Sequence, residues 1–176
     1  MSTRNTLLAA CSALVVGCGA ALAESPNLGK AASPEEIASW DISIGPGGAG
    51  LPSGSGTPQQ GEQVYLAKCL ACHGEKGSGK PNDQLVGGLG ALTGDQTPVK
   101  TVGSFWPYAT TLFDYVRRAM PFNTTRSLSN AEAYAVCAYI LQLNGIIAES
   151  TAMNAQTLAK VQMPNRDGFV PFSRQK

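Results

Sequence analysis

The sequence predicts an all-α fold, and three observations carry that expectation. Apolar residues recur at helical spacing in three separate stretches; two Ser-x-x-Glu capping boxes mark helix starts; and no stretch alternates apolar and polar residues over strand length. Taken in order, the chain opens on Arg4 followed by an uncharged run from Leu7 to Ala23 that ends Ala21-Leu22-Ala23. This pattern reads as a secretory signal over residues 1–23 with an A-x-A cleavage site. A competing reading makes Val15-Val16-Gly17-Cys18 a degenerate lipobox, with Cys18 carrying lipid. The run is too short, and lacks the following stop-transfer pattern, for a transmembrane helix.

Residues 24–58 are expected to be an extension and linker. Ser33-Pro34-Glu35-Glu36 starts a short helix, with Ser at the cap, Pro at the first helical position and Glu closing the box. Gly45 to Gly61 is rich in Gly, Pro and Ser and reads as a loop. Trp40 and Ile42 precede it and would be costly to expose, so residues 33–44 are expected to pack on the domain. That domain spans residues 59–145, and 146–176 form a C-terminal extension. Within the domain, Val64, Tyr65, Leu66, Cys69 and Leu70 space a helix from Gly61 to Cys72. Gly74 to Thr101 is a Gly-rich loop; its Gly87-Gly88-Leu89-Gly90 lacks the preceding strand a phosphate cradle needs. Thr110 to Met120 forms a second helix, with Leu112, Tyr115, Val116 and Ala119 on its stripe and Pro121 ending it. Ser129-Asn130-Ala131-Glu132 opens a third, whose face is Val136, Tyr139, Ile140 and Leu143 and which stops at Gly145.

The chemistry centres on Cys69-Leu70-Ala71-Cys72-His73. Two thiols three residues apart, followed at once by an imidazole, are what covalent c-type haem attachment requires: both sulfurs bond the porphyrin vinyl groups and His73 ligates iron. Zinc would need a second Cys or His pair, yet the chain has one histidine and no other close cysteine pair. A thioredoxin-like redox pair would want a strand before it, and the residues before Cys69 read as helix. One motif and no internal repeat imply one haem c per chain. Attachment of this kind takes place in the bacterial periplasm, which agrees with the leader-like start.

Removing 23 residues from 176 leaves 153, one ordinary domain. Loss of Arg4 brings the 13 basic residues to 12, against 12 acidic, so the mature polypeptide is formally neutral. A neutral chain offers no basic field for nucleic acid or anionic lipid.

The second iron ligand separates electron transfer from ligand chemistry. Methionine is the natural candidate, and beyond the leader three exist: Met120, Met153 and Met163. Met120, in Arg118-Ala119-Met120-Pro121-Phe122, follows one helix and shortly precedes another, where a loop can cover the haem face opposite His73. Met163 lies in the tail, and core filling or an open iron site are the competing readings. Trp106, Tyr108, Arg117 and Arg118 carry donors suited to haem propionates, with Trp106 and Tyr108 the stronger pair; otherwise they are core aromatics and a solvated helix face. Cys137, between Val136 and Ala138, reads as a small buried hydrophobe.

Residues 59 to 145 resemble the class I cytochromes c. Gly61, Tyr65 and Cys69 fall four apart as in that family's N-terminal helix, whose glycine lets the C-terminal helix cross closely, and Tyr139 matches the aromatic of the crossing helix. The resemblance implies a three-helix haem-wrapping core with His/Met ligation. It also points to Pro81 as the residue whose carbonyl meets the proximal histidine.

A narrower resemblance rests on Thr101-Val102-Gly103-Ser104-Phe105-Trp106-Pro107-Tyr108-Ala109-Thr110-Thr111-Leu112-Phe113-Asp114-Tyr115-Val116-Arg117-Arg118-Ala119-Met120-Pro121-Phe122 and the late Met163-Pro164-Asn165-Arg166-Asp167-Gly168-Phe169. These are similar to the cytochrome component of sulfur-oxidising dehydrogenases, although the dihaem members have two motifs where this chain has one. That similarity implies a carrier accepting single electrons from a molybdenum-containing sulfite or sulfur dehydrogenase and passing them to a downstream cytochrome or terminal oxidase. Two other expectations stand beside it: a haem enzyme acting on thiosulfate or peroxide at an open sixth site, and a structural subunit whose extensions wrap a larger enzyme.

Overall fold

The computed structural model describes residues 28–93, 97–170 and 172, so the expected leader and both readings of its processing lie outside the described residues. The described residues divide into two compact units between Trp40 and Asp41. The first holds helix α1, Pro34–Trp40. Its capping box forms as expected, with Glu36 N donating to Ser33 Oγ (3.2 Å) and Ser33 N to Glu36 Oε2 (2.7 Å). The burial expected of Trp40 does not follow: it is 78% exposed, and no residue of α1 is buried. Ile44, four residues on, is the buried apolar residue of this stretch.

The second unit contains the domain core. Helix α2, Pro58–Lys68, begins three residues before the expected Gly61. Thr57 caps it, Pro58 takes the first helical position and Gln60 closes a capping box, so a start signal stands inside what reads by composition as linker. The helix also ends before the motif does. Cys69, at φ −123°, ψ −33°, breaks it, and Leu70–His73 forms a separate turn, α3. After the long loop come α4, Ala109–Ala119, and α5, Asn130–Leu143. The Ser129–Glu132 box opens α5 as expected.

Two expected helix faces need correction. On α4 the buried residues are Ala109, Thr110, Leu112, Phe113 and Val116; Phe113 faces inward where Tyr115 was expected, and Tyr115 is 47% exposed. Spacing of i, i+3, i+4 and i+7 from Ala109 picks this stripe, and Phe113 stacks on Tyr134 of α5 at 4.3 Å between ring centroids. On α5 burial runs unbroken from Ala133 to Leu141, because the helix is surrounded: α2, α4 and a small strand all pack on it. That strand, β1 (Ser55–Gly56), pairs antiparallel with β2 (Met153–Asn154), Gly56 opposite Met153. Two residues per strand are too few to alternate visibly in sequence, and the fold stays all-α. A short turn, α6 (Ala155–Leu158), follows, capped by Asn154, and Leu158, Val161 and Met163 close over the core.

Candidate haem site

The site begins at the crossing of α2 and α5. A Cβ on Gly61 would overlap the Ala135 carbonyl and lie 2.8 Å from Tyr139 Cβ, so only glycine lets the helices approach this far. Four residues on, Tyr65 is fully buried, tilts against Tyr139 (5.4 Å between centroids) and donates its hydroxyl to Gly74 O at 2.8 Å. Burial pushes its phenol up to about 12, so it remains a donor throughout the neutral range. The two ends of the motif are thereby tied to a rigid helix pair.

The motif itself is a single turn. Cys72 N and His73 N both donate to Cys69 O, at 3.1 and 3.0 Å. Cys69 is half-buried and Cys72 exposed, both as free thiols. Desolvation raises Cys69 to about 11. Cys137 is wholly buried and its thiol is likewise raised by burial, as expected of a small core residue.

His73 is oriented by the loop that follows. Its Nδ1 lies 2.8 Å from Asp83 O, so Nδ1–H donates to that carbonyl and Nε2 is left as the ligating nitrogen. The carbonyl partner expected at Pro81 is therefore two residues further on. The loop folds back on the motif: Asn82 N donates to Cys72 O (2.9 Å), Gly79 N to His73 O (2.8 Å) and Leu85 N to Gly77 O (2.8 Å). This geometry carries Asp83, not Pro81, to the imidazole. Composition marked the loop as Gly-rich, but nothing in Pro81-Asn82-Asp83 distinguishes which carbonyl turns inward.

The three methionines separate by burial. Met153 and Met163 are 1% and 3% exposed, packed in the core, whereas Met120, at the C-cap of α4, is only half-buried. Trp106 and Tyr108 are half-buried at the core edge. Trp106 tilts on Tyr115 (5.7 Å), and Arg166 lies over the Tyr108 ring (4.4 Å). Both segments quoted for the narrower resemblance meet here, because Asn165 Nδ2 also donates to Phe105 O (2.7 Å) and Phe105 packs edge-on to Phe169 (5.2 Å). Arg117 is engaged by Asn130 (3.1 Å), and Arg118 by Asp114 and Ser43. Each guanidinium keeps further N–H donors beyond these bonds.

These residues fit haem c. Two thiols, one half-buried and one exposed, and an imidazole with a fixed free nitrogen lie on one turn, and Val64, Leu70, Leu85 and Trp106 are apolar groups left partly uncovered against the core. Comparison with known proteins gives the same answer. The family model described as cytochrome c oxidase, cbb3-type, subunit III, matches residues 56–140. A chain in the crystal structure of the sulfane dehydrogenase SoxCD from Paracoccus pantotrophus is 40% identical, with a TM-score of 0.79, over 86% of this chain and 75% of that one. The chain belongs to the Sox-type c-type cytochromes. Its cofactor is covalently bound haem c, and its fold is the class I cytochrome c fold. The thiosulfate dehydrogenase of Psychrobacter arcticus is 31% identical over 83 residues, 47% of this cytochrome and 25% of that enzyme; the cytochrome thus spans about a quarter of that relative's length.

Proposed function

We propose that this cytochrome is a periplasmic carrier of single electrons, in which Cys69 and Cys72 would hold the haem, His73 and Met120 would ligate its iron, and Trp106 and Tyr108 would meet its propionates. The observation that carries the reading is the Asp83 carbonyl on His73 Nδ1, which aims one imidazole nitrogen outward, together with the burial of the methionines other than Met120. When bound, the haem supplies a one-electron ferric/ferrous couple whose potential a thioether ligand raises. The protein's own part is to hold His73 in one orientation and to keep Met120 free of the core.

The donor we infer is a molybdenum-containing sulfite or sulfur dehydrogenase, and the acceptor a downstream cytochrome or terminal oxidase. The kinship with a SoxCD chain supports a sulfur-oxidising donor. Localisation to the periplasm rests on the leader-like residues 1–23 and on the attachment chemistry, and lipidation at Cys18 is its competitor. Among the described residues no helix is long and apolar enough to cross a membrane. Docking is expected to use apolar contact: Ala71 is exposed beside half-buried Leu70, and Phe122 is 83% exposed just past Met120. Stopped-flow reduction of the ferric protein by such a dehydrogenase tests the reading. We expect second-order reduction that changes little between low and physiological ionic strength, because the formally neutral mature chain provides no steering field. Absence of reduction would remove the sulfur-pathway donor.

A second reading, catalysis on thiosulfate, has one observation in its favour, the 83-residue match to a thiosulfate dehydrogenase. It requires an open or labile sixth site, so ready binding of cyanide or carbon monoxide by the untreated protein would select it.

A further inference from the structure

We propose that Asn144, assisted by Thr101, is a positioning residue for the proximal histidine: it sets the His73–Asp83 hydrogen bond by clamping the segment 85–87 to the end of α5. Asn144 is 5% exposed and its carboxamide is fully engaged. Nδ2 donates to Leu85 O (3.2 Å) and to Ile140 O (2.8 Å), and Oδ1 accepts from Gly87 N (3.0 Å). Thr101 Oγ1 donates to Gly87 O at 2.5 Å, and Val102 N to Leu85 O at 3.2 Å.

A residue serving only to cap α5 would bond locally. Here the backbone already ends the helix, through Asn144 N to Ile140 O and Gly145 N to Gln142 O, while two of three side-chain bonds reach 57 and 59 residues away. Those bonds fix Leu85 and Gly87 from one side, and Asn82 N to Cys72 O and Leu85 N to Gly77 O hold the segment from the other. Asp83 lies between the two anchorages. The clamp is thus a second hold, beside the bonds to Cys72 O and Gly77 O, on the loop that carries the Asp83 carbonyl to His73. A strong acceptor on Nδ1–H makes the imidazole a better donor to iron, so slackening the clamp should weaken that donation and favour the ferrous state.

The inference rests on His73 being the iron ligand, as proposed above. The chain has a single histidine, so ¹⁵N-histidine labelling of the holoprotein gives one imidazole to follow. In Asn144→Leu the Nδ1 proton should exchange about tenfold faster with solvent, as loss of roughly one hydrogen bond's stabilisation implies. The ferrous-to-ferric ratio at fixed applied potential should also rise about threefold, a modest response to a weakened outer partner of the ligand. Thr101→Val, a gentler change that keeps the fold if Asn144→Leu does not, should move both readouts the same way and less. Tyr134→Phe, which removes a distant hydrogen bond to Pro52 O (2.9 Å), is the control for general loosening and should move neither. Unchanged exchange and potential in Asn144→Leu and Thr101→Val, or in Thr101→Val alone where Asn144→Leu does not fold, would overturn the proposal; so would equal changes in Tyr134→Phe. An imidazole without hyperfine shift in the ferric wild type would instead show that His73 is not a ligand, and the carrier reading would fall with the inference.

Discussion

The crossing of α2 with α5 and the loop from Gly74 to Val102 both brace the same five-residue motif, by opposite means. The crossing is apolar and tight: Gly61 against Ala135, and Tyr65 and Tyr139 in ring contact, with no room for an added methyl. Among its described residues the loop has few buried apolar anchors and is held by individual hydrogen bonds through Asn144, Thr101, Ser104 and Asp83. Close packing resists change because any displacement costs many contacts together, whereas a hydrogen-bonded clamp responds to the loss of one partner. Stability should therefore reside in the crossing and adjustment of the ligand in the loop.

The sharpest break of that contrast is Gly61→Ala. The new methyl meets the Ala135 backbone, which cannot swing aside, and we expect a loss of about 3 kcal/mol or more in denaturant unfolding of the holoprotein. A loss below about 1 kcal/mol would mean that the helices separate easily and that the crossing is no more rigid than the loop.

The methionines divide along the same line. Met163→Ala should cost about 2 to 3 kcal/mol through the cavity it opens, and leave the weak far-red band of thioether-ligated ferric haem in place. Met120→Ala should abolish that band at a smaller stability cost. The reverse pattern would move the ligand into the tail, and a high-spin wild type would favour the catalytic reading. Between these and the weakest effects lies Tyr65→Phe, which keeps the ring contact with Tyr139 and deletes only the bond to Gly74 O. About 1 kcal/mol is expected, read as a lower denaturation midpoint with an unchanged slope.

How far sequence reaches follows the same division. The motif, the third helix and its capping box, and the kind of fold were legible because they depend on short-range spacing and on local chemistry. Gly61 and Tyr139 were legible through the class I resemblance, and the crossing bears them out. The start of α2 was legible in Thr57-Pro58-Gln59-Gln60 and was obscured by the Gly- and Pro-rich run around it. The inward face of α4 was misjudged because the stripe was counted through Tyr115 and not from Ala109, the start that places Phe113 inward against Tyr134. Asp83 and Asn144 were out of reach: one acts through a backbone carbonyl that every residue possesses, the other through partners 57 and 59 residues away. Trp40 is 78% exposed, because apolarity states a cost of exposure and does not by itself fix where a residue lies.

The smallest expected effect lies on the rim of the crossing, where Lys68 of α2 meets Glu132 of α5 at 2.6 Å. Both side chains are about a third exposed, so screening by water limits the pair to a few tenths of a kcal/mol. The hydrogen bond from Lys68 is the main cause holding the Glu132 carboxyl below its ordinary value, followed by the one from Ser129 N. A carboxyl depressed in the folded state adds stability above its unfolded pKa, and that contribution disappears as pH falls through the folded value. Glu132→Gln preserves the capping box, since glutamine also serves at that position, and removes the charge. The variant should be slightly less stable than wild type at pH 7 and indistinguishable from it once both are below the folded carboxyl pKa, with the difference closing on the acid side of 4.5. Parallel urea titrations across that range measure it. A gap that persisted undiminished in acid would assign the stabilisation to packing at the rim, and would extend the rigid apolar character of the crossing to its solvent edge.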